Sequence, residues 1–211
     1  STQGYSSAAS DVYKRQGMSW IEIVLITIGM SLDTFAAVEC QGALVAKLEK
    51  KRLSMAVTVI ALWQTIALLI GSFLVTLLNQ YDTQLSGEAF IGRILAILIL
   101  FGMGLRMFVK AWRNERIVEK REDGLDIKKT FFSIAKGTIF TILTGIAFAF
   151  LEADIKAVLI MIICVTIAMV IIGLYTGYRL GFEQKSKAYI GGGALLIAAG
   201  IDVIVRYIVM R

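Results

Sequence analysis

Proline is missing from all 211 residues, histidine is missing too, and cysteine occurs only twice. Without proline, any break inside a helix has to come from glycine, serine or threonine. Without histidine there is no imidazole zinc site and no ordinary near-neutral pH switch, so any proton coupling would have to use carboxylates. Cys40 and Cys164 each lie inside an apolar run and read as packing residues, which argues against a disulfide framework. Charge is scarce as well: 18% of residues are charged against 57% hydrophobic, with a mean hydropathy of +0.75. That balance is too apolar for a soluble domain and leaves no room for a large soluble catalytic one. The net charge of +6 reflects lysine and arginine between apolar runs, so we expect a lipid bilayer and no nucleic acid as partner. Gly191-Gly192-Gly193 is not followed by a Walker-type Lys-Ser/Thr, and no nucleophile–base arrangement is visible. The expectation is a non-enzyme with no ATP motor and no cofactor.

What is present is six apolar runs: Trp20–Ala46, Ser54–Leu78, Ala89–Trp112, Phe131–Leu151, Ala157–Leu180 and Ala188–Val209. Each reaches the length of about twenty residues that a helix needs to cross a bilayer. The predicted fold is therefore all-α and polytopic, with six transmembrane helices. Residues 1–17 are polar and aperiodic, and they read as a disordered, non-native leader ahead of Met18. Residues 18–113 and 131–211 then form two three-helix repeats joined by a linker over 114–130. An odd number of spans per half makes the repeats inverted, a plan that places a binding site near the midplane. Lys47, Lys50, Lys51 and Arg52 lie between runs one and two, a larger basic set lies in the third loop, and Lys185 and Lys187 lie in the fifth. Loops two and four are poor in basic residues. The odd loops are thus expected in the cytoplasm and both termini outside.

Among the few polar groups deep in the runs, Asp33 stands out. It lies about thirteen residues into the first run, near the middle of a bilayer, where a carboxylate is costly and reads as a cation or proton site, with a structural acid hydrogen-bonded to a neighbouring helix as the alternative. Gly29, Asp33, Ala36, Ala37 and Cys40 fall close to one helix face, small except for the acid. Ser31 and Thr34 flank it with hydroxyls, and Gln64 lies deep in the second run with an amide that can ligate or pack. Oxygen donors of this kind suit a hard divalent cation such as Mg²⁺, Ca²⁺ or Mn²⁺. Glu39, six residues after Asp33, either lines an inner mouth or reaches the interface. Asp202 stands four residues before Arg206, the spacing of a helical ion pair. Arg106 and Lys136 can snorkel or neutralise a buried acid, and Glu22 and Glu152 read as interfacial. Gly137, Thr138, Thr141, Thr144 and Gly145 give the fourth run a small, hydroxylated face.

The stretch Gly29-Met30-Ser31-Leu32-Asp33-Thr34-Phe35-Ala36-Ala37 resembles the first-helix signature of the MntP-type manganese efflux pump family, within the LysE transporter superfamily. Phe101-Gly102-Met103-Gly104-Leu105-Arg106-Met107 and the Gly-rich run from Tyr189 are also similar to the family pattern. The resemblance implies manganese export across a bacterial cytoplasmic membrane by a six-helix, two-repeat protein. Its site would use Asp33 with oxygens from Ser31, Thr34 and Gln64, helped by Glu39 or Asp202. Two positions depart from the pattern. Phe140 stands where the family carries a second acid, and Gln64 stands in place of a second-helix acid. The resemblance also leaves a LysE-like exporter of an amino acid or another small solute as an alternative. A non-transporting assembly or sporulation protein is a further one.

Overall fold

The computed structural model describes residues 18–47, 49–81, 89–113 and 124–206. The 1–17 leader and most of the 114–130 linker therefore lie outside the described residues. The order is α1 (Trp20–Leu44), α2 (Lys50–Tyr81), α3 (Ala89–Arg113), α4 (Ile127–Ala135), α5 (Thr138–Phe150), α6 (Ile155–Leu180) and α7 (Glu183–Ile204), with no strand among the described residues. Five helices are long and apolar enough to cross a membrane, and the pair α4–α5 makes a sixth if counted as one span bent by 50°. The chain is a multi-pass α-helical membrane protein.

Local signals set the helix ends. Ser19 and Glu22 form a capping box at the start of α1, with the Glu22 Oε2 accepting from the Ser19 N–H at 2.6 Å. Asp126 caps α4 by accepting from the Lys128 and Lys129 N–H groups, and Asp154 caps α6 by accepting from Lys156. The last residues of the expected 114–130 linker are thus already helical. Gly181 ends α6 at a φ of 71°, a conformation that favours glycine.

The fourth apolar run is not one straight span. It breaks at Lys136-Gly137, where the Gly137 N–H donates to the Ile134 carbonyl at 2.8 Å and α5 starts without a side-chain cap. In a proline-free chain, glycine supplies the break.

The helices of 20–113 pack almost wholly against those of 127–204: α1 on α6 and α7, α2 on α5 and α6, α3 on α7 and α5. Lipid tails provide no hydrophobic drive between helices, so close approach at small residues matters most. At the α1–α6 crossing, a Cβ on Gly42 would strike the Leu174 carbonyl, and one on Gly177 the Glu39 carbonyl. The α2–α5 crossing repeats this, with Gly71 against Ile142 and Gly145 against Leu68. In α7, Gly192 faces the Gly29 carbonyl of α1 while Gly193 faces the Gly104 carbonyl of α3, so the glycine run is a packing device serving two helices at once. Large apolar side chains such as Leu62, Phe73, Leu98, Leu105 and Ile160 remain exposed around the bundle, as a lipid-facing surface requires. Trp20 and Trp112, at opposite ends of the bundle, are also exposed, at positions suited to interfacial anchoring.

Candidate functional site

Asp33 is the fourteenth residue of the 25-residue α1, so it sits roughly 20 Å along the helix from its start. It opens onto a cavity of about 300 Å³ bounded by α1, α2, α3, the α4–α5 break and α7. Its carboxylate is held from α3. The Lys110 Nζ lies 2.7 Å from Oδ1 and the Arg106 Nη1 lies 3.3 Å from Oδ2. All three side chains are partly shielded, at 18% exposure for Asp33, 24% for Arg106 and 34% for Lys110. The break in the fourth span comes right up to this pair: a Cβ on Gly137 would lie 3.5 Å from the Asp33 Oδ2.

Aromatic rings hold the two cations in place. The Phe140 ring centroid is 3.4 Å from the Arg106 guanidinium carbon, and the Tyr189 centroid is 5.1 Å from the Lys110 Nζ. Phe140, which stands where the family resemblance implies an acid, is thus the platform for Arg106. Lys136 and Lys185 also line the cavity, so its described lining holds four basic side chains and one carboxylate. A neighbouring concavity of about 380 Å³ shares Arg106, Lys110, Lys185 and Tyr189 and adds Arg113, which extends the basic surface outward.

Thr34 and Gln64 reach the same cavity. The Gln64 Nε2 donates to the Thr34 Oγ1 at 2.7 Å, and the Thr141 hydroxyl donates to the Gln64 Oε1 at 3.2 Å. This chain ties α1, α2 and α5 together across the cavity floor. Close by, the Trp63 Nε1 donates to the Thr138 Oγ1 at 2.7 Å. Cys40, expected as packing, also lines the cavity.

The remaining sequence candidates lie elsewhere. Ser31 is buried with no hydrogen-bond partner for its Oγ and is not part of the cavity wall. Glu39 is fully buried, and its Oε1 accepts from the Gln184 N–H at 3.0 Å, so it caps the first turn of α7. Asp202 pairs with Arg206 at 3.7 Å, as its spacing foretells, near the opposite end of the bundle. Arg206 also reaches the Glu22 Oε1 at 3.3 Å. Glu22, expected at the interface, is instead fully buried, because the bundle closes over the α1 capping box. Among the described residues, no group of three or more His, Cys, Asp or Glu side chains could hold a metal.

From the sequence Arg106 is a candidate to neutralise a buried acid, whereas Lys110 falls at the edge of the basic third loop. The available signal was spacing. Lys110 follows Arg106 by four residues, which puts both on one face of α3.

Fold and cavity together define a multi-pass helical membrane protein with a charged, half-depth cavity beside a discontinuous span. Residues 47–204 match the family described as "Putative manganese efflux pump" (Mntp), and the chain belongs to that family. Curated relatives named "Putative manganese efflux pump MntP" are similar along most of its length. The one from Acetivibrio thermocellus is 27% identical over 187 residues, covering 89% of this chain and 91% of the relative. The one from Mannheimia succiniciproducens is 28% identical over 191 residues, covering 90% and 98%. The one from Neisseria meningitidis is 28% identical over 191 residues, covering 87% and 94%. No solved structure matches the chain.

Proposed function

We propose that this chain is a secondary transporter that exports a divalent cation, manganese, across a bacterial cytoplasmic membrane, with Asp33 receiving the ion. Family membership and the names of the relatives support the cargo. The observation that carries the site is that Asp33 is the one carboxylate among the described cavity-lining residues, at half depth and beside a broken span. Thr34 and Gln64, which line the cavity, would add oxygens, whereas Ser31, Glu39 and Asp202 are not among the residues that line it.

In the described state Arg106 and Lys110 occupy Asp33, and together they carry the same charge as the cargo. We read this as the unloaded site. Loading is then an exchange, in which the ion displaces two tethered cations from one carboxylate. Release discharges Asp33 again, through the return of Arg106 and Lys110 or through a proton taken up from outside, which would make the protein an antiporter.

The two halves would rock against each other as inverted three-helix repeats. Matching glycine crossings at α1–α6 and α2–α5 support that division. The odd loops would face the cytoplasm. Contacts at one end of the bundle support their common side: Arg52 donates to the Leu125 carbonyl at 3.2 Å, and the Ser186 hydroxyl donates to the Ala111 carbonyl at 3.3 Å.

The test is total cellular manganese in bacteria lacking their own exporter and challenged with the metal. Cells carrying the native chain should hold less manganese than cells carrying Asp33→Asn, with both proteins present in the membrane. Equal manganese in the two strains would sink the assignment of Asp33.

A further inference from the structure

The charge of the cavity does not fit a bare cation. Among the described residues that line it, Asp33 is the one carboxylate beside Arg106, Lys110 and Lys136, and Arg113 continues the basic surface outward. An ion seated on Asp33 frees Arg106 and Lys110 from the one acid among the described cavity-lining residues and adds two more positive charges beside them. Basic residues at the inner end of a span commonly snorkel into the headgroup region. Here they do the reverse. Arg106 and Lys110 turn inward to a cavity at half depth, held there by Phe140 and Tyr189. The start of α5, a 13-residue helix without a side-chain cap, adds the positive end of its dipole beside Gly137.

We propose that this cavity binds a small multivalent oxyanion, of the phosphate or polycarboxylate class, between Arg106, Lys110 and Lys136, and that the cation at Asp33 crosses together with it. Arg106 presents a planar fork to such an anion, and the two lysines act as point charges on either side. Tyr189, Ser133 and Thr141 line the same space and can hydrogen-bond the remaining oxygens. The inference rests on the reading of this cavity as the transport site, though not on manganese as the cargo.

The experiment uses the full chain in phosphatidylcholine nanodiscs with no divalent metal, and measures binding of radiolabelled inorganic phosphate and, separately, of citrate. Saturable binding at one site is expected. Lys136→Gln should weaken it about tenfold, as loss of one charge-assisted contact does. Lys136 makes no ion pair with Asp33, so this loss cannot come from a disturbed Asp33. Phe140→Asp, which sets a carboxylate against Arg106 without removing any base, should abolish binding. Lys51→Gln, outside the cavity, should leave it unchanged. No saturable binding overturns the inference, and so does equal binding by native chain, Lys136→Gln and Phe140→Asp. Binding suppressed when phosphatidylglycerol replaces phosphatidylcholine also overturns it, since the cavity then takes a lipid headgroup. Manganese export that requires Asp33, without anion binding, refutes this inference alone. Anion binding without manganese export refutes the manganese reading alone.

Discussion

Neutralising Lys110 should tighten manganese binding, although Lys110 is the residue that holds the acid in place. The ammonium lies 2.7 Å from Asp33 Oδ1, where an incoming ion must sit. Once displaced, it remains on the order of 5 Å from that ion. At about 5 Å and an effective dielectric of about 20, a divalent ion and an ammonium repel by about 6–7 kcal/mol, falling to about 2 kcal/mol in water. Lys110 is 34% exposed, and its flexible stem can swing toward the mouth, so the lower part of that range applies. Lys110→Met keeps the stem and removes the charge, and the expected gain is about 1–3 kcal/mol, or about 5- to 150-fold in Kd. The assay is titration of the nanodisc-embedded protein in chloride buffer, free of phosphate and carboxylates, with unbound Mn²⁺ read from its electron paramagnetic resonance signal. The reasoning fails if Asp33→Asn abolishes binding while Lys110→Met binds no more tightly than the native chain.

Three further outcomes follow from the geometry. Gly145→Ala, which drives a methyl into the Leu68 carbonyl, should cost about 1–3 kcal/mol of stability, read as earlier thermal unfolding in detergent, whereas Gly102→Ala, with open space around it, should be nearly neutral. Gln64→Leu cuts both links of the Thr34–Gln64–Thr141 chain and should cost about 1 kcal/mol in the same assay, at roughly 0.6 kcal/mol for each interhelical hydrogen bond. In a cysteine-free background, Ser133→Cys should react at least about tenfold faster with an anionic thiosulfonate than with a cationic one of similar size, because the basic walls concentrate anions; equal rates would contradict the charge assigned to the cavity.

The spans were legible because length and hydropathy report them directly, and Asp33 was legible from depth alone. The break at Gly137 was not. The fourth run holds several glycines and threonines at helical spacing, and nothing in the order of residues tells which one bends and which one packs. Gly145 turned out to be a crossing point and Gly137 the break. Glu22 and Glu39 were misjudged for a related reason. Distance along a helix gives depth in the bilayer but not which neighbour covers the side chain, and both acids are sealed by the bundle. The Ser19–Glu22 capping box could have been read from its spacing. Gln64 was rightly expected deep and polar, but its engagement with both Thr34 and Thr141 depends on two helices brought together only by the fold.

The near-total dependence of each half on the other bears on how the chain is made. When synthesis has passed Arg113, α1, α2 and α3 have emerged but the helices they rest on have not. The exceptions are the bond between Asp33 and its two bases, which joins α1 to α3, and the Gln64–Thr34 hydrogen bond, which joins α2 to α1, both within the part already made. A newborn first half can therefore enter lipid with its deepest acid already discharged, and wait there for the rest of the protein to arrive.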